Sequence, residues 1–118
     1  MAENKTRGEY GEELACRRLS SEGFTVIARN FSCRTGEVDI IAKKDDVLVF
    51  AEVKTRSGVD MGLPCQAVVS EKQRKIRKTA EFFLMCFPEY SGLQSRFDII
   101  EVLIFGRGTY IRRIENAF

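Results

Sequence analysis

Four charged residues at alternate positions of two neighbouring apolar segments are the first candidates for chemistry in this sequence. Glu37 and Asp39 lie in one segment, and Glu52 and Lys54 lie in the next. If both segments are strands, period-two alternation puts the two charged residues of each strand on one face. Carboxylate oxygens suit a hard divalent cation, Mg²⁺ or Mn²⁺, which also accepts water and phosphate oxygen as ligands.

The absence of histidine removes most other catalytic chemistries. The 118 residues contain no His, which excludes a Ser-His-Asp or Cys-His mechanism, an imidazole base and a His-ligated zinc. The cysteines form no C-x-x-C pair, which excludes a zinc ribbon and a thioredoxin-type redox pair. They are Cys16, Cys33, Cys65 and Cys86. Scattered thiols of this kind are typical of a reduced cytosolic protein, so catalysis must use carboxylates, lysines, hydroxyls, thiols or an oxygen-bound metal.

The hydrophobic pattern predicts the elements that would position these residues. Alternating or continuous apolar runs predict strands, helical spacing predicts two helices, and Gly23 and Pro88 are expected to end those helices. In chain order we predict a helix over 7–22, strands over 24–31, 36–42 and 47–55, a helix before Pro88, and strands over 96–105 and 110–114. We therefore expect an α/β fold of αβββαββ order, in which helices flank a mixed sheet within a single domain spanning 1–118.

The turn between the two charged strands determines which side chains meet. If it is a two-residue Asp-Asp turn, Asp39 lies opposite Glu52 and Glu37 lies opposite Lys54. Opposed carboxylates repel each other by roughly 0.2–1 kcal/mol at an exposed site, and by more where water is excluded. Either Lys54 or a divalent cation would relieve that repulsion. The alternative is a solvated sheet face on which Glu37 and Lys54 form a surface ion pair worth about 0–1 kcal/mol.

A further acidic residue, Glu12, lies on the side of the first helix that we expect to be covered. It precedes Ala15, Cys16 and Leu19 on one helical stripe, whereas Glu13 lies off this stripe. A charge at an inward position needs a partner, so Glu12 can join the cluster if the helix packs beside the hairpin. Alternatively, it is a first-turn glutamate that interacts favourably with the helix dipole and keeps its carboxylate in water.

The second predicted helix combines an apolar stripe with a basic face. Ile76, Ala80, Phe83 and Phe87 recur at helical spacing and predict the buried side. The opposite side carries five cations, which are Lys72, Arg74, Lys75, Arg77 and Lys78. Such a face either attracts nucleic-acid phosphates or is a solvated helix face, and a net charge of +2 argues against a strong general DNA binder. The cations expected to contact nucleic acid are Arg56, Lys72 and Lys75.

Together these residues resemble a known nuclease signature. The run Gly36-Glu37-Val38-Asp39, followed by Glu52-Val53-Lys54, is similar to the D…E-x-K signature of the PD-(D/E)XK, or restriction-endonuclease-like, superfamily. Val38 stands where the superfamily's name has proline. Over about residues 7–102 the chain resembles the YraN-like family, bacterial proteins similar to archaeal Holliday-junction resolvases. The wider pattern includes Gly11-Glu12, Arg29-Asn30, Thr55-Arg56 and Arg96-Phe97-Asp98.

The resemblance implies a restriction-endonuclease-like fold and a metal-dependent endonuclease that hydrolyses phosphodiester bonds of DNA, including branched or repair intermediates. It implies Glu12, Asp39 and Glu52 as ligands of Mg²⁺ or Mn²⁺. Asp39, Glu52 and Lys54 would be the catalytic residues, and Glu37 would support them. A resolvase-like enzyme that cuts two symmetric strands would be a homodimer.

Two other classes of function stay open. One is a non-catalytic nucleic-acid-binding module with a nuclease-like fold, and the other is an interaction protein whose carboxylate face holds a partner subunit. The polar N-terminus is unlike a secretory signal, and no apolar run approaches the roughly 18 residues of a membrane span. We therefore expect a cytoplasmic protein with nucleic acid, DNA in particular, as its partner and no membrane contact.

Overall fold

The computed structural model describes residues 6–57 and 70–118, which form one five-stranded sheet with a helix on each face. The elements are α1 (Arg7–Ser21), β1 (Thr25–Cys33), β2 (Gly36–Lys44), β3 (Val47–Ser57), α2 (Ser70–Cys86), a short 3-10 helix (Pro88–Tyr90), β4 (Gln94–Phe105) and β5 (Gly108–Ile114). The predicted α/β class and αβββαββ order are confirmed, and each observed strand extends two residues beyond one of its predicted ends.

The strands follow one another in space in chain order, from β1 to β5. Strands β3 and β4 are parallel, whereas the other three neighbouring pairs are antiparallel, so the sheet is mixed as predicted. A parallel pair cannot be joined by a tight turn. The chain between β3 and β4 accordingly contains α2.

Helix α1 covers one face of the sheet. Thr6 caps its N-terminus in a capping box with Glu9, and Gly23 follows the helix with a φ of 97°, which glycine adopts without strain. Its buried residues Ala15 and Leu19 pack in one apolar cluster with residues of β2 and β3, including Ile40, Ala42, Val49 and Ala51. Burying this stripe orients α1 against the hairpin, with its N-terminal half beside β3.

Helix α2 covers the opposite face. Ile76, Ala80 and Phe83 are buried in a second cluster that includes Val38, Ile41, Leu48 and Phe50 from the hairpin. The predicted apolar stripe is confirmed over these three residues. It does not extend to Phe87, which is 40% exposed because the helix ends at Cys86 before Pro88. Within the described ranges, no helix is long and apolar enough to cross a membrane.

The β2–β3 hairpin has the predicted register in the part next to its turn. It departs from that register at the opposite end, where the charged residues lie. The pairs run from Lys44 with Val47 to Ile40 with Ala51, as a two-residue turn requires. Along these described strands, the next pair, Asp39 with Glu52, is not formed. The pairing of β2 with β1 also skips Asp39, opposite Asn30, whose φ is 53°. Strand β2 therefore loses its pairing with β3 at Asp39, whereas its pairing with β1 resumes in the same register at Val38.

The apolar residues around this position show the same irregularity. Ile40 belongs to the cluster on the α1 face, whereas Val38 and Ile41 both belong to the cluster on the α2 face. Strict alternation would put Val38 and Ile40 on one face. The change of facing at Asp39 brings its side chain to the end of the hairpin, where groups from both faces of the sheet can approach it.

The cysteines do not form a cluster with chemistry of its own. Cys16, Cys33 and Cys86 are free thiols, and Cys65 lies outside the described residues. The expectation of scattered reduced thiols agrees with these three positions.

Candidate active site

Asp39 is the centre of the predicted site. Its Oδ2 accepts a hydrogen bond of 2.8 Å from the backbone N–H of Val53. This N–H lies on β3 just beyond the last hairpin pair, so the side chain replaces a backbone acceptor where the strands separate. The contact ties the carboxylate to the backbone between Glu52 and Lys54. Asp39 is thereby held against both residues of the predicted E-x-K element.

The surroundings of Asp39 favour its neutral form. Burial is the largest cause and the negative charge of Glu52 is the next, and together they raise the pKa of Asp39 from 3.8 to about 7. The charges of Glu12 and Glu37 add smaller contributions in the same direction, while the hydrogen bond from Val53 lowers the pKa. Three other carboxylates therefore act on Asp39, and its own charge is incompletely balanced.

Glu52 is the carboxylate that the nearby cations neutralise most directly. Its side chain is 5% exposed, and its Oε2 lies 2.6 Å from Lys72 Nζ and 3.4 Å from Lys54 Nζ. Burial disfavours the charge on Lys72, but the hydrogen bond and ion pair with Glu52 outweigh it and raise the pKa of Lys72. Lys54 was expected opposite Glu37. Because the hairpin pairing stops short of these residues, Lys54 pairs instead with Glu52 on its own strand.

Glu12 approaches the cluster from α1. The preceding residue, Gly11, lies so close to β3 that a Cβ there would overlap Thr55 Oγ1. This contact places the first turns of α1 directly beside the charged end of β3. The carboxylate of Glu12 is part-buried, and burial raises its pKa, although the Asn30 side chain and the charge of Arg29 act in the opposite direction. Glu12 is thus an inward residue rather than a fully solvated first-turn glutamate.

The donor set has the chemistry of a site for a hard cation. Within residues 6–57 and 70–118, no three acidic or thiol side chains are already gathered as the ligands of a metal ion, and Glu52 is paired with two lysines. The ligand types nevertheless fit Mg²⁺ or Mn²⁺, since all are carboxylates. Burial is the largest cause of the raised pKa values of Glu12 and Asp39, and the negative charges of neighbouring carboxylates act in the same direction.

The remaining predicted residues lie around this centre. Arg56 is on the same strand as Lys54, but its Nε lies 3.2 Å from Glu101 Oε2 rather than beside Glu52. Lys75 is exposed and lies one helical turn beyond Lys72, next to Gly36 at the start of β2. Glu37 is exposed, and its Cα partner on the neighbouring strand β1 is Ser32. Lys72 is therefore the one α2 cation among the described residues with an ion pair to the acidic cluster.

Two features of this region were not predicted as site components. The Asn30 side chain donates a hydrogen bond to Glu12. Asn30 also has a positive φ, and its residue type was only a partial signal of this conformation, which asparagine tolerates. Glu101 is fully buried in β4 and pairs with both Arg56 and Arg112. Its position within the apolar run of that strand was a stronger signal, because a carboxylate at such a position needs a cationic partner.

Comparison with known proteins identifies close relatives over nearly the whole chain. The model of the uncharacterised protein family UPF0102 matches residues 11–102. A UPF0102 protein of Caldicellulosiruptor bescii is 42% identical over 97% of this chain and 98% of its own length. Another, from Caldanaerobacter subterraneus, is 45% identical over 97% of this chain and 95% of its own length. A third, from Clostridium acetobutylicum, is 44% identical over 98% of this chain and 95% of its own length.

One solved structure is also similar. It is that of Archaeoglobus fulgidus Hjc, a Holliday junction resolvase from an archaeal hyperthermophile, with 20% sequence identity and a TM-score of 0.48. The match covers 93% of this chain and 73% of that chain.

Proposed function

Since the chain belongs to the UPF0102 (YraN) family, as its sequence pattern predicted, we propose that it is a metal-dependent nuclease that hydrolyses phosphodiester bonds of DNA. The restriction-endonuclease-like site implied by its D…E-x-K signature is part of this proposal. The observation that carries it is the contact of Asp39 with the Val53 N–H, which ties the D and E-x-K elements together within a cluster of four acidic residues.

The proposed ligands of the cation are Glu12, Asp39 and Glu52. When bound, Mg²⁺ or Mn²⁺ would polarise a phosphoryl oxygen and lower the pKa of the attacking water. Asp39 is held at a defined orientation by its hydrogen bond to β3, and ionisation of its carboxyl is favoured by any cation placed beside it. Glu52 shares the same end of β3 and contributes the second charge.

Lys54 and Lys72 have different proposed roles. Lys54 lies two residues after Glu52 on the same face of β3 and would stabilise the negative charge that develops on the phosphate. Lys72 now neutralises Glu52 through Oε2, and a cation bound by the same carboxylate would repel the ammonium and weaken this ion pair. Once released, its ammonium can bind a phosphate of the incoming nucleic acid. Lys72 would then couple loading of the metal to binding of DNA.

The other partners follow from the same proposal. Arg56 and Lys75 are proposed to contact the nucleic acid beside Lys72, and Glu37 is proposed to support the cluster through its effect on Asp39. Branched or repair intermediates are the proposed DNA substrates, the active form is proposed to be a homodimer, and the place of action is the cytoplasm. The substrates and the homodimer are expected from the resemblance in the signature residues, whereas the place of action and the basic contacts are expected from the sequence pattern itself.

A metal titration across several DNA structures tests the proposal. The purified protein should cut linear, flapped or four-way DNA with Mg²⁺ or Mn²⁺ and should not cut it with EDTA. Asp39→Asn, Glu52→Gln and Lys54→Met should each lower the cleavage rate by a factor on the order of 100 or more. Glu13→Gln is the matched control, because Glu13 lies next to Glu12 but pairs with the exposed Arg17. The absence of metal-dependent cleavage of every substrate would refute the proposal.

A non-catalytic nucleic-acid-binding module is the second candidate function. It is favoured by the ion pair of 2.6 Å between Lys72 and Glu52, which already supplies a cation to the acidic cluster. In that case DNA binding should depend strongly on salt and should survive Asp39→Asn and Lys54→Met. The two candidates therefore differ in whether these substitutions remove a metal-dependent activity or leave the measured function intact.

A further inference from the structure

We propose that Arg56 and Arg112, both held by the buried carboxylate of Glu101, form a second phosphate-binding subsite beside the proposed active site. The inference rests on the proposed binding of nucleic acid and adds the part of its surface carried by β4 and β5. A phosphodiester of the bound strand other than the one that is cut would be the ligand.

Strand pairing places these residues next to Lys54. Lys54 is the Cα partner of Glu101 on β4, and Glu101 is the Cα partner of Arg112 on β5. Residues paired across neighbouring strands project from the same face, and each strand is about 4.8 Å from the next. Arg112 is thus displaced from Lys54 by about 10 Å across the sheet. Arg56 lies two residues after Lys54 and faces the same side.

Glu101 is the anchor of the pair. Its side chain is fully buried, and its Oε1 accepts hydrogen bonds from Arg112 Nε at 3.1 Å and Arg112 Nη2 at 2.5 Å. A buried carboxylate needs compensation, and this one is within ion-pair distance of two guanidinium groups. Two positive charges against one negative charge leave a net charge of +1 on the cluster.

The guanidinium groups retain unused donors. Arg56 Nε is 3.2 Å from Glu101 Oε2, but this oxygen has no partner with hydrogen-bond geometry, so the contact is electrostatic and engages none of the Arg56 N–H groups in a hydrogen bond to Glu101. Arg112 uses only Nε and Nη2 on Glu101. The two side chains are 23% and 49% exposed. Partly exposed guanidinium groups that one buried carboxylate holds in place suit recognition of a phosphate.

The salt dependence of binding tests the subsite without any need for cleavage. Affinity for labelled duplex and four-way DNA would be measured by fluorescence anisotropy in EDTA at several salt concentrations. Loss of one phosphate contact should reduce the slope of log K against log salt by about 0.9. We expect this reduction for Arg112→Gln and for Arg56→Gln. Arg112→Lys should preserve the slope because it keeps the charge.

The controls separate this inference from the proposed function. Arg17→Gln removes an exposed, carboxylate-paired arginine on α1 and should leave the slope unchanged. Thermal melting of each variant identifies any loss of folding, and Arg112→Lys supplies a folded comparison at the same position. Because Arg56 is also part of the proposed function, Arg112→Gln is the decisive variant: an unchanged slope for it would overturn the subsite even if the protein cuts DNA. Reduced slopes would support it even if no cleavage is observed.

Discussion

Replacement of Asp39 by asparagine should stabilise the metal-free protein at neutral and alkaline pH. Asparagine has nearly the same shape, and its side-chain oxygen can still accept the hydrogen bond from the Val53 N–H. It removes the negative charge that burial and Glu52 make unfavourable. The substitution should therefore improve folding while it removes a proposed metal ligand.

The pKa gives the size and the sign of the effect. The pKa of Asp39 is raised from 3.8 to about 7 in the folded protein. Between these two pH values the unfolded chain has lost the Asp39 proton that the native protein retains, so the stability of the unsubstituted protein falls as pH rises. Above about pH 7 the carboxyl is ionised in both states, and Asp39 causes no further change in stability. This rise in the pKa corresponds to a loss of stability of at most roughly 4 kcal/mol. Because solvent partly screens the charge, we expect Asp39→Asn to increase the free energy of unfolding by about 2 kcal/mol.

Thermal unfolding in EDTA over a range of pH is the assay. For a chain of this size, a gain of about 2 kcal/mol corresponds to an increase in Tm of roughly 8 °C at about pH 8. The gain should shrink as pH falls and disappear near pH 4, where Asp39 is protonated in both states. Asp46→Asn is the matched control, since Asp46 is an exposed residue of the turn in the same hairpin. Its effect should not follow this pH profile.

Addition of Mg²⁺ provides the second half of the test. A ligand that binds only the folded state raises the Tm of the unsubstituted protein by an amount that grows with the logarithm of the ligand concentration relative to Kd. Asp39→Asn should lose most of that increase. The reasoning about Asp39 is refuted if the substitution changes Tm equally at acidic and alkaline pH, or if it destabilises the protein at about pH 8 while Asp46→Asn does not.

Two further predictions concern α1. Glu12→Gln should reduce both the Mg²⁺-dependent increase in Tm and the cleavage rate, whereas Glu13→Gln should leave both unchanged; equal effects of the two substitutions would contradict the assignment of Glu12 as a ligand. Gly11→Ala should destabilise the protein by about 1–3 kcal/mol in urea unfolding, because the new Cβ would overlap Thr55 Oγ1. Gly8→Ala meets no atom closer than 3.9 Å and should instead stabilise α1 by roughly 0.5–1 kcal/mol, so a gain at both glycines would refute this account of the helix packing.

An unfavourable charge at Asp39 is what the proposed metal site would show without a bound cation. A sequence selected only for stability would place an amide or an apolar residue at this position, since nothing in the sheet requires the charge. The local departures from regular structure occur at the same place, where the pairing of β2 with β3 ends. Agreement between an electrostatic and a geometric irregularity is typical of a functional site.

The order of the elements and the position of the hairpin turn were determined by the sequence alone. Apolar periodicity depends only on residues close in the chain, and the Asp-Asp turn sets the register from Lys44 to Ile40. The types of the site residues and the absence of histidine likewise restricted the chemistry to carboxylates, lysines and a hard cation.

Which charges meet was decided only by the tertiary structure. Lys72 reaches Glu52 from α2, and Arg56 turns to Glu101, because helix packing and the parallel β3–β4 register bring together residues far apart in the chain. The end of the hairpin pairing before Asp39 was likewise visible only in the structure, since an unbroken two-residue-turn register would have continued to Glu52. Periodicity identifies the face on which a side chain lies, but its partner depends on the distance to the neighbouring element, which packing alone sets.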